Sequence, residues 1–254
     1  MEAFQSIRVS KLPIRFAAPT LNSQLRFVSF GSWTGVSGWE LGVPFSSSAG
    51  GAGVTPDRVV RSAAPLNVTT VVKIGGSLLS RADSFDAALA EISRACRGVS
   101  LLIVPGGGPF ADAVRDVDRR LGLSDEAAHW MAVVAMDQYA HLIASRMPAA
   151  ALVVDRHGVM AALERERIPV LAPYQWMRDA DPLPHSWEVT SDSISAWVAG
   201  EVGASRLVLV KPPGACGPAI VDACFERVRP PHVETAIVTA DRIDQLSVAL
   251  TRRV

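Results

Sequence analysis

The sequence holds too little cysteine, and in the wrong places, for a disulfide framework or a thiolate metal centre. Cys96, Cys216 and Cys224 are the only three among 254 residues and have no metal-ligand spacing. They read as idle thiols in a reducing compartment. An excess of charge of one sign is also missing. Lys+Arg and Asp+Glu number 25 each, so no global field draws the chain to nucleic acid or anionic lipid. No apolar run reaches the roughly 18 residues that a membrane helix needs. The opening MEAFQSIRVSKLPIRF lacks the compact apolar block of a secretory signal. With 49% apolar and 20% charged residues, the composition is that of an ordinary globular core. The expectation is a cytoplasmic protein that binds neither nucleic acid nor membrane.

Acid is nearly absent from one region. Residues 1–67 carry Arg8, Lys11, Arg15 and Arg26 with almost no acid before Glu40, and include SSSAGGAGVTP at 47–56. Such a stretch buries too little apolar surface to offset the entropy of ordering it. It is expected to be a disordered extension, with a transit peptide as the other reading. The folded domain, 68–254, is expected to begin near Val68.

From there apolar strands alternate with helical periodicity. Strands are expected at 68–74, 101–104, 151–154, 168–172, 206–210 and 236–239. Helices are expected after Ser84, with Asp83 or Ser84 as N-cap, and over 110–121, 125–146, 191–202 and 241–252. This alternation predicts an α/β fold with a mainly parallel sheet covered on both faces. Right-handed crossovers place the loops after the strands on one edge, where ligands bind in open α/β sheets.

Two glycine clusters fall at that edge. In VVKIGGSLLS, Lys73 precedes Gly75, Gly76 and Ser77, the reverse of a Walker A loop. In VPGGGPFADAVR, Gly106, Gly107 and Gly108 follow the next strand. Glycine lets backbone N–H groups approach an anion closely, and the helix behind Pro109 adds positive dipole. Lys73 among apolar neighbours needs a partner or a ligand; an ammonium there can reach a transferring phosphoryl group, or can simply be salt-bridged. Lys211 repeats this geometry in LVLVKPPGACG. Thr190, Ser191 and Asp192 stand before a helix, which alone is also the signature of an N-cap. Two lysines need an acid to hold them, and Asp192 is the candidate. Trp130, Met131, Val134 and Gln138 form a stripe that reads as core or dimer surface before substrate pocket. Arg115 is the candidate guanidinium for a phosphorylated acceptor.

KIGGS, PGGG, the TSD-helix and the later strand-lysine resemble, in this order, the amino acid kinase superfamily over about residues 70–250. The resemblance implies a three-layer αβα sandwich without a Walker A loop. An acceptor-binding part would span about 68–186 and a nucleotide-binding part about 187–254. It also implies ATP as phosphoryl donor, with Mg²⁺ accompanying it and no metal ligands evident in the chain. Lys73, Gly75, Gly76, Ser77 and Lys211 would face the donor phosphates, and the cluster Gly106, Gly107 and Gly108 the acceptor, beside which Arg115 stands as a candidate on its own chemistry. Asp192 would organise the two lysines, making Lys73, Asp192 and Lys211 the catalytic set. GGGPFADAVR and AAHWMAVVAMDQYAHLIASRM are similar to the branch that phosphorylates an aminomethylfuran phosphate in methanofuran-type C1-carrier biosynthesis. Acyl-phosphate-forming amino acid kinases, uridylate kinases and non-catalytic nucleotide-binding storage or regulatory proteins are the alternatives. The acceptor is expected to be a small phosphorylated or carboxylate molecule. The apolar helix 125–146 makes a homo-oligomer the expectation.

Overall fold

The computed structural model describes residues 66–251, and the extension expected over 1–67 lies outside the described residues except at its end. There Leu66, two residues before Val68, is buried in the core. The strands are β1 (Thr70–Ile74), β2 (Leu101–Pro105), β3 (Ala150–Val153), β4 (Ile168–Leu171), β5 (Arg206–Lys211) and β6 (Glu234–Thr239). The helices are α1 (Ala82–Ala95), α2 (Gly108–Leu121), α3 (Asp125–Arg146), α4 (Arg156–Glu164), α5 (Tyr174–Ala180), α6 (Ser191–Val202), α7 (Phe225–Val228) and α8 (Leu246–Thr251). Every strand pairing among them is parallel, in the order β3-β4-β2-β1-β5-β6.

Alternation along the strands decides which layer each residue meets. Val71, Leu207 and Leu209 join a core cluster with Ile194, Val198 and Val202 of α6. Val72, Ile74, Val208 and Val210 join the opposite cluster, with Phe85, Leu89 and Ile92 of α1 and Leu246 and Leu250 of α8. Helix α3 contributes to both, through Val133 and Met136 on one side and Tyr139 and Ile143 on the other. The parity of β1 and β5 therefore sends Lys73 and Lys211 to the α6 side.

Local signals set most helix ends. Ser124 accepts from the Ala127 N–H to start α3, and Asp155 accepts from the Gly158 N–H to start α4. Gly122 and Gly203, both left-handed, close α2 and α6. Four expectations need correction. Helix α1 starts at Ala82 after a turn of 3₁₀ helix over Gly76–Ser80, so neither Asp83 nor Ser84 caps it. The helix expected over 241–252 divides into a 3₁₀ stretch, Ala240–Gln245, inside which Arg242 leaves helical geometry, and α8. Two short helices, α5 and α7, lie where none is expected; each is too short to show a period. Helix α2 starts at Gly108, two residues before Phe110.

Leu209 is fully buried in β5. Leu209→Ala is expected to cost about 2–5 kcal/mol in denaturant unfolding. A cost below about 1 kcal/mol would contradict its place in the core.

Candidate functional site

The carboxyl ends of β1, β2 and β5 meet at the middle of the sheet. The chain passes from β1 to β2 on one side and later returns through β5 on the other. This reversal of strand order opens a crevice of the kind that ligands occupy in open α/β sheets.

Three buried charges meet there. Lys73 pairs across the sheet with Leu209, two residues before Lys211, so the two ammonium groups stand diagonally on adjacent strands. Asp192, in the first turn of α6, lies between them. Lys211 Nζ donates to Asp192 Oδ2 at 2.6 Å, and Lys73 Nζ lies 3.0 Å from Oδ1. The second contact is an ion pair without hydrogen-bond alignment. The three residues are 5%, 4% and 8% exposed for Lys73, Asp192 and Lys211. Burial alone would push the Asp192 carboxyl up, but Lys73 and Lys211 together outweigh it and hold it below the usual carboxylate range. Burial, followed by repulsion from Lys73, lowers the Lys211 ammonium; Asp192 offsets part of this. The two cations face one anion, so the cluster keeps a net positive charge that suits a polyanion.

The two glycine loops touch. A Cβ on Gly76 would fall 2.1 Å from the Gly108 N, so the loops approach only because Gly76 has no side chain. Gly108 itself has φ of 56°, a left-handed conformation that favours glycine. The N–H groups of Gly75 and Gly106 are not free for an anion. Gly75 donates to the Val210 carbonyl at 2.9 Å and Gly106 to the Ile74 carbonyl at 2.8 Å, extending the sheet ladder. Neither of these two N–H groups is therefore available to an anion. Gly76, Ser77 and Gly108 instead head helical turns, where the first N–H groups lack intrahelical partners. The cradle is therefore narrower than the glycine count implies.

A cavity of about 300 Å³ opens beside these loops. Asp125, Ala128, His129, Ala132, Val133 and Met136 line it from one face of α3, spaced over about 16 Å of helix. Gly76, Ser77, Gly107, Gly108 and Arg115 line it too, and so do Thr190 and Ser191, which precede Asp192. Arg115 is held by Asp112 at 2.8 Å, and its guanidinium stacks over Trp187, 4.9 Å from the ring centroid. Lys73, Asp192 and Lys211 are not among the cavity's lining residues, though Thr190 and Ser191, directly before Asp192, are. Trp130, Met131, Val134 and Gln138 line a separate shallow groove on the other side of α3, with Phe110 and Tyr174.

Sequence reasoning missed His129, His185, Trp187 and Asp222. His129 is buried against His185 and Trp130, with ring centroids 4.5 and 4.8 Å away. Burial, and then His185, push it down to about 4 against an opposing pull from Asp181, so its ring is neutral at pH 7. Its partner is 56 residues further on, a distance at which no local pattern signals contact. The cue for Asp222 is equally weak in sequence: an isolated acid in a loop, whose hydrogen bonds reach back to Thr190 and Ser193.

Asp192→Ala leaves two buried ammonium groups uncompensated, and is expected to cost about 3–5 kcal/mol in denaturant unfolding at pH 7. The folded Asp192 carboxyl is more acidic than the unfolded one, so the unfolded chain binds more protons as pH falls. The bridge's contribution is complete above the unfolded value of about 4 and is lost as pH drops through the lowered folded value. The gap between wild type and variant should narrow in that window; a gap that widens there would contradict the bridge. A second measurement concerns His129, whose ring signals in an NMR titration should move near pH 4 rather than near its ordinary value.

Residues 68–212 match the model of the amino acid kinase family. Over 130 residues the chain is 33% identical to (5-(aminomethyl)furan-3-yl)methyl phosphate kinase of Methanocaldococcus jannaschii, covering 50% of this chain and 58% of that protein. The chain thus spans less than two thirds of the relative's length. UMP kinase of Ureaplasma parvum superposes with a TM-score of 0.55 at 15% identity, covering 74% of this chain and 96% of that one. UMP kinase of Bacillus anthracis gives 0.52 at 13%, over 72% and 93%. At such identities these two structures show the shared fold alone. With more than half its length matched by the family model, the chain belongs to the amino acid kinase family.

Proposed function

We propose that the chain is a kinase that transfers the γ-phosphoryl group of ATP to an oxyanion of a small acceptor. The observation that carries this reading is the Lys73–Asp192–Lys211 bridge set beside two abutting glycine loops. An acceptor oxygen attacks the γ-phosphorus, its bond to the β,γ-bridging oxygen breaks, and ADP leaves with that electron pair. A phosphate or carboxylate acceptor is already ionised at neutral pH, so no strong general base is required. The chain's work is positioning and charge neutralisation. Lys73 and Lys211 neutralise charge on the transferring group, while Asp192 keeps the two cations from separating. The N–H groups of Gly76, Ser77 and Gly108 orient phosphate oxygens.

Among the described residues no group of three His, Cys, Asp or Glu side chains is placed to hold a metal ion, and both oxygens of Asp192 face lysines. The described residues therefore do not fit a protein-held Mg²⁺. Mg²⁺ enters this reading only as the counter-ion that ATP brings.

The acceptor we favour is (5-(aminomethyl)furan-3-yl)methyl phosphate, giving its diphosphate. The 33% identity to the kinase of that name supports it. So does a cavity of about 300 Å³, at the small end of the range for ligand sites. Its apolar α3 face can receive a flat ring, and Arg115 stacked on Trp187 offers a guanidinium for a phosphomonoester. Met131 and Val134, 40% and 39% exposed on the opposite face of α3, support assembly as a homo-oligomer.

Purified chain with ATP, Mg²⁺ and a panel of acceptors should release ADP with the aminomethylfuran phosphate, and mass spectrometry should find its diphosphate. Transfer only to UMP or to an amino acid carboxylate would move the reading to those kinases. No transfer to any acceptor would overturn it. Lys73→Ala and Lys211→Ala are expected to lower turnover by at least about 10²–10³-fold, and near-normal turnover in folded Lys73→Ala would remove that residue from the mechanism.

A further inference from the structure

The segment after Lys211 leaves β5, passes a short 3₁₀ turn at Pro218–Ile220, and returns to the start of α6. Asp222 makes the return contact. Its Oδ2 accepts from the Thr190 N–H at 2.9 Å, the Thr190 hydroxyl at 2.7 Å and the Ser193 N–H at 3.0 Å. Its Oδ1 accepts from the Ser193 hydroxyl and from the Cys224 N–H at 3.1 Å. One carboxylate thus takes five hydrogen bonds, four of them from residues 29 and 32 positions away.

A helix start needs no such distant partner. Thr190 is itself an N-cap, and its hydroxyl oxygen already accepts from the Asp192 N–H at 3.3 Å. What the distant carboxylate adds is a link between elements. Thr190 and Ser191 form cavity wall, Asp192 bridges the lysines, and Asp222 sits on the chain that carries Lys211. The carboxylate also favours the charged form of Lys211.

We infer that Asp222 is a positioning residue: it clasps the Lys211 loop to the first turn of α6 and so holds Asp192 between the two lysines. The inference rests on the kinase reading for its catalytic consequence, though not for the clasp itself. Without the carboxylate, the first turn of α6 can shift relative to β1 and β5, and a small misplacement of a charged group slows phosphoryl transfer out of proportion to its effect on binding.

The test compares wild type with Asp222→Ala and Asp222→Asn, and with Asp155→Ala as a control. Asp155 caps α4 by accepting from the Gly158 N–H at 2.7 Å, so its loss removes a helix cap outside the site. Hydrogen exchange should show faster exchange of the amides of residues 191–194 in Asp222→Ala, with β1 and β5 still protected. Turnover should fall about 10- to 100-fold while KM for ATP and for the acceptor stay within about threefold. Asp222→Asn, whose amide keeps one acceptor oxygen, should fall between. Asp155→Ala should lose thermal stability with turnover unchanged. Unaltered exchange at 191–194 would overturn the inference. Faster exchange with full turnover, or an equal turnover loss in Asp155→Ala, would overturn it too. Should Asp222→Ala not fold, Asp222→Asn and Ser193→Ala carry the same comparison. If wild type transfers no phosphoryl group, the proposed function falls, and the exchange comparison still decides whether Asp222 clasps α6.

Discussion

Two lysines are held out of water by one aspartate, and the architecture around them follows from that constraint. Burying an unpaired ammonium is costly enough that the group would give up its proton instead. Lys73 and Lys211 stay inside because Asp192 reaches both. That reach depends on strand parity, which turns both side chains toward α6, and on α6 beginning where β1 and β5 end. The bridge is in turn weak enough at one end to matter. Lys73 contacts Asp192 without hydrogen-bond alignment, so its N–H bonds are not all committed within the protein.

The glycines serve two ends. Gly75 and Gly106 continue the sheet ladder by donating to neighbouring strands, which fixes where each loop leaves the sheet. Gly76 and Gly106 also let the two loops meet, at a separation that a Cβ on either would prohibit. A fixed departure and a close meeting together set the glycine wall of the cavity. The same economy appears at α6. Its first turn is at once cavity wall, carrier of Asp192 and partner of Asp222, so one short segment joins three parts of the site.

Much of the fold was legible because its signals are local. The long apolar stretch at 125–146 reads as one helix, and the β-branched run at 68–74 and the apolar run at 206–210 read as buried parallel strands. The parts that were not legible are short or governed from afar. Helices α5 and α7 show no period, and the 3₁₀ turn after β1 displaces the start of α1. In the site, Lys73 and Lys211 were visible because charge inside apolar strands is anomalous, and Asp192 because two such lysines need an acid to hold them. His129, Trp187 and Asp222 were not, because an aromatic or acidic residue in a helix or loop is ordinary until its neighbours are known.

The sequence by itself determined the alternation of strands and helices, the two glycine clusters after consecutive strands, and the pair of strand-end lysines. Each is a property of neighbouring residues: periodicity, missing side chains, or charge amid apolar neighbours. Only the tertiary structure decided that both lysines share one carboxylate, that two of the glycines spend their N–H groups on the sheet, and that Asp222 ties the Lys211 loop to α6. These depend on the register between strands and on contacts across tens of residues, and no local pattern carries that information.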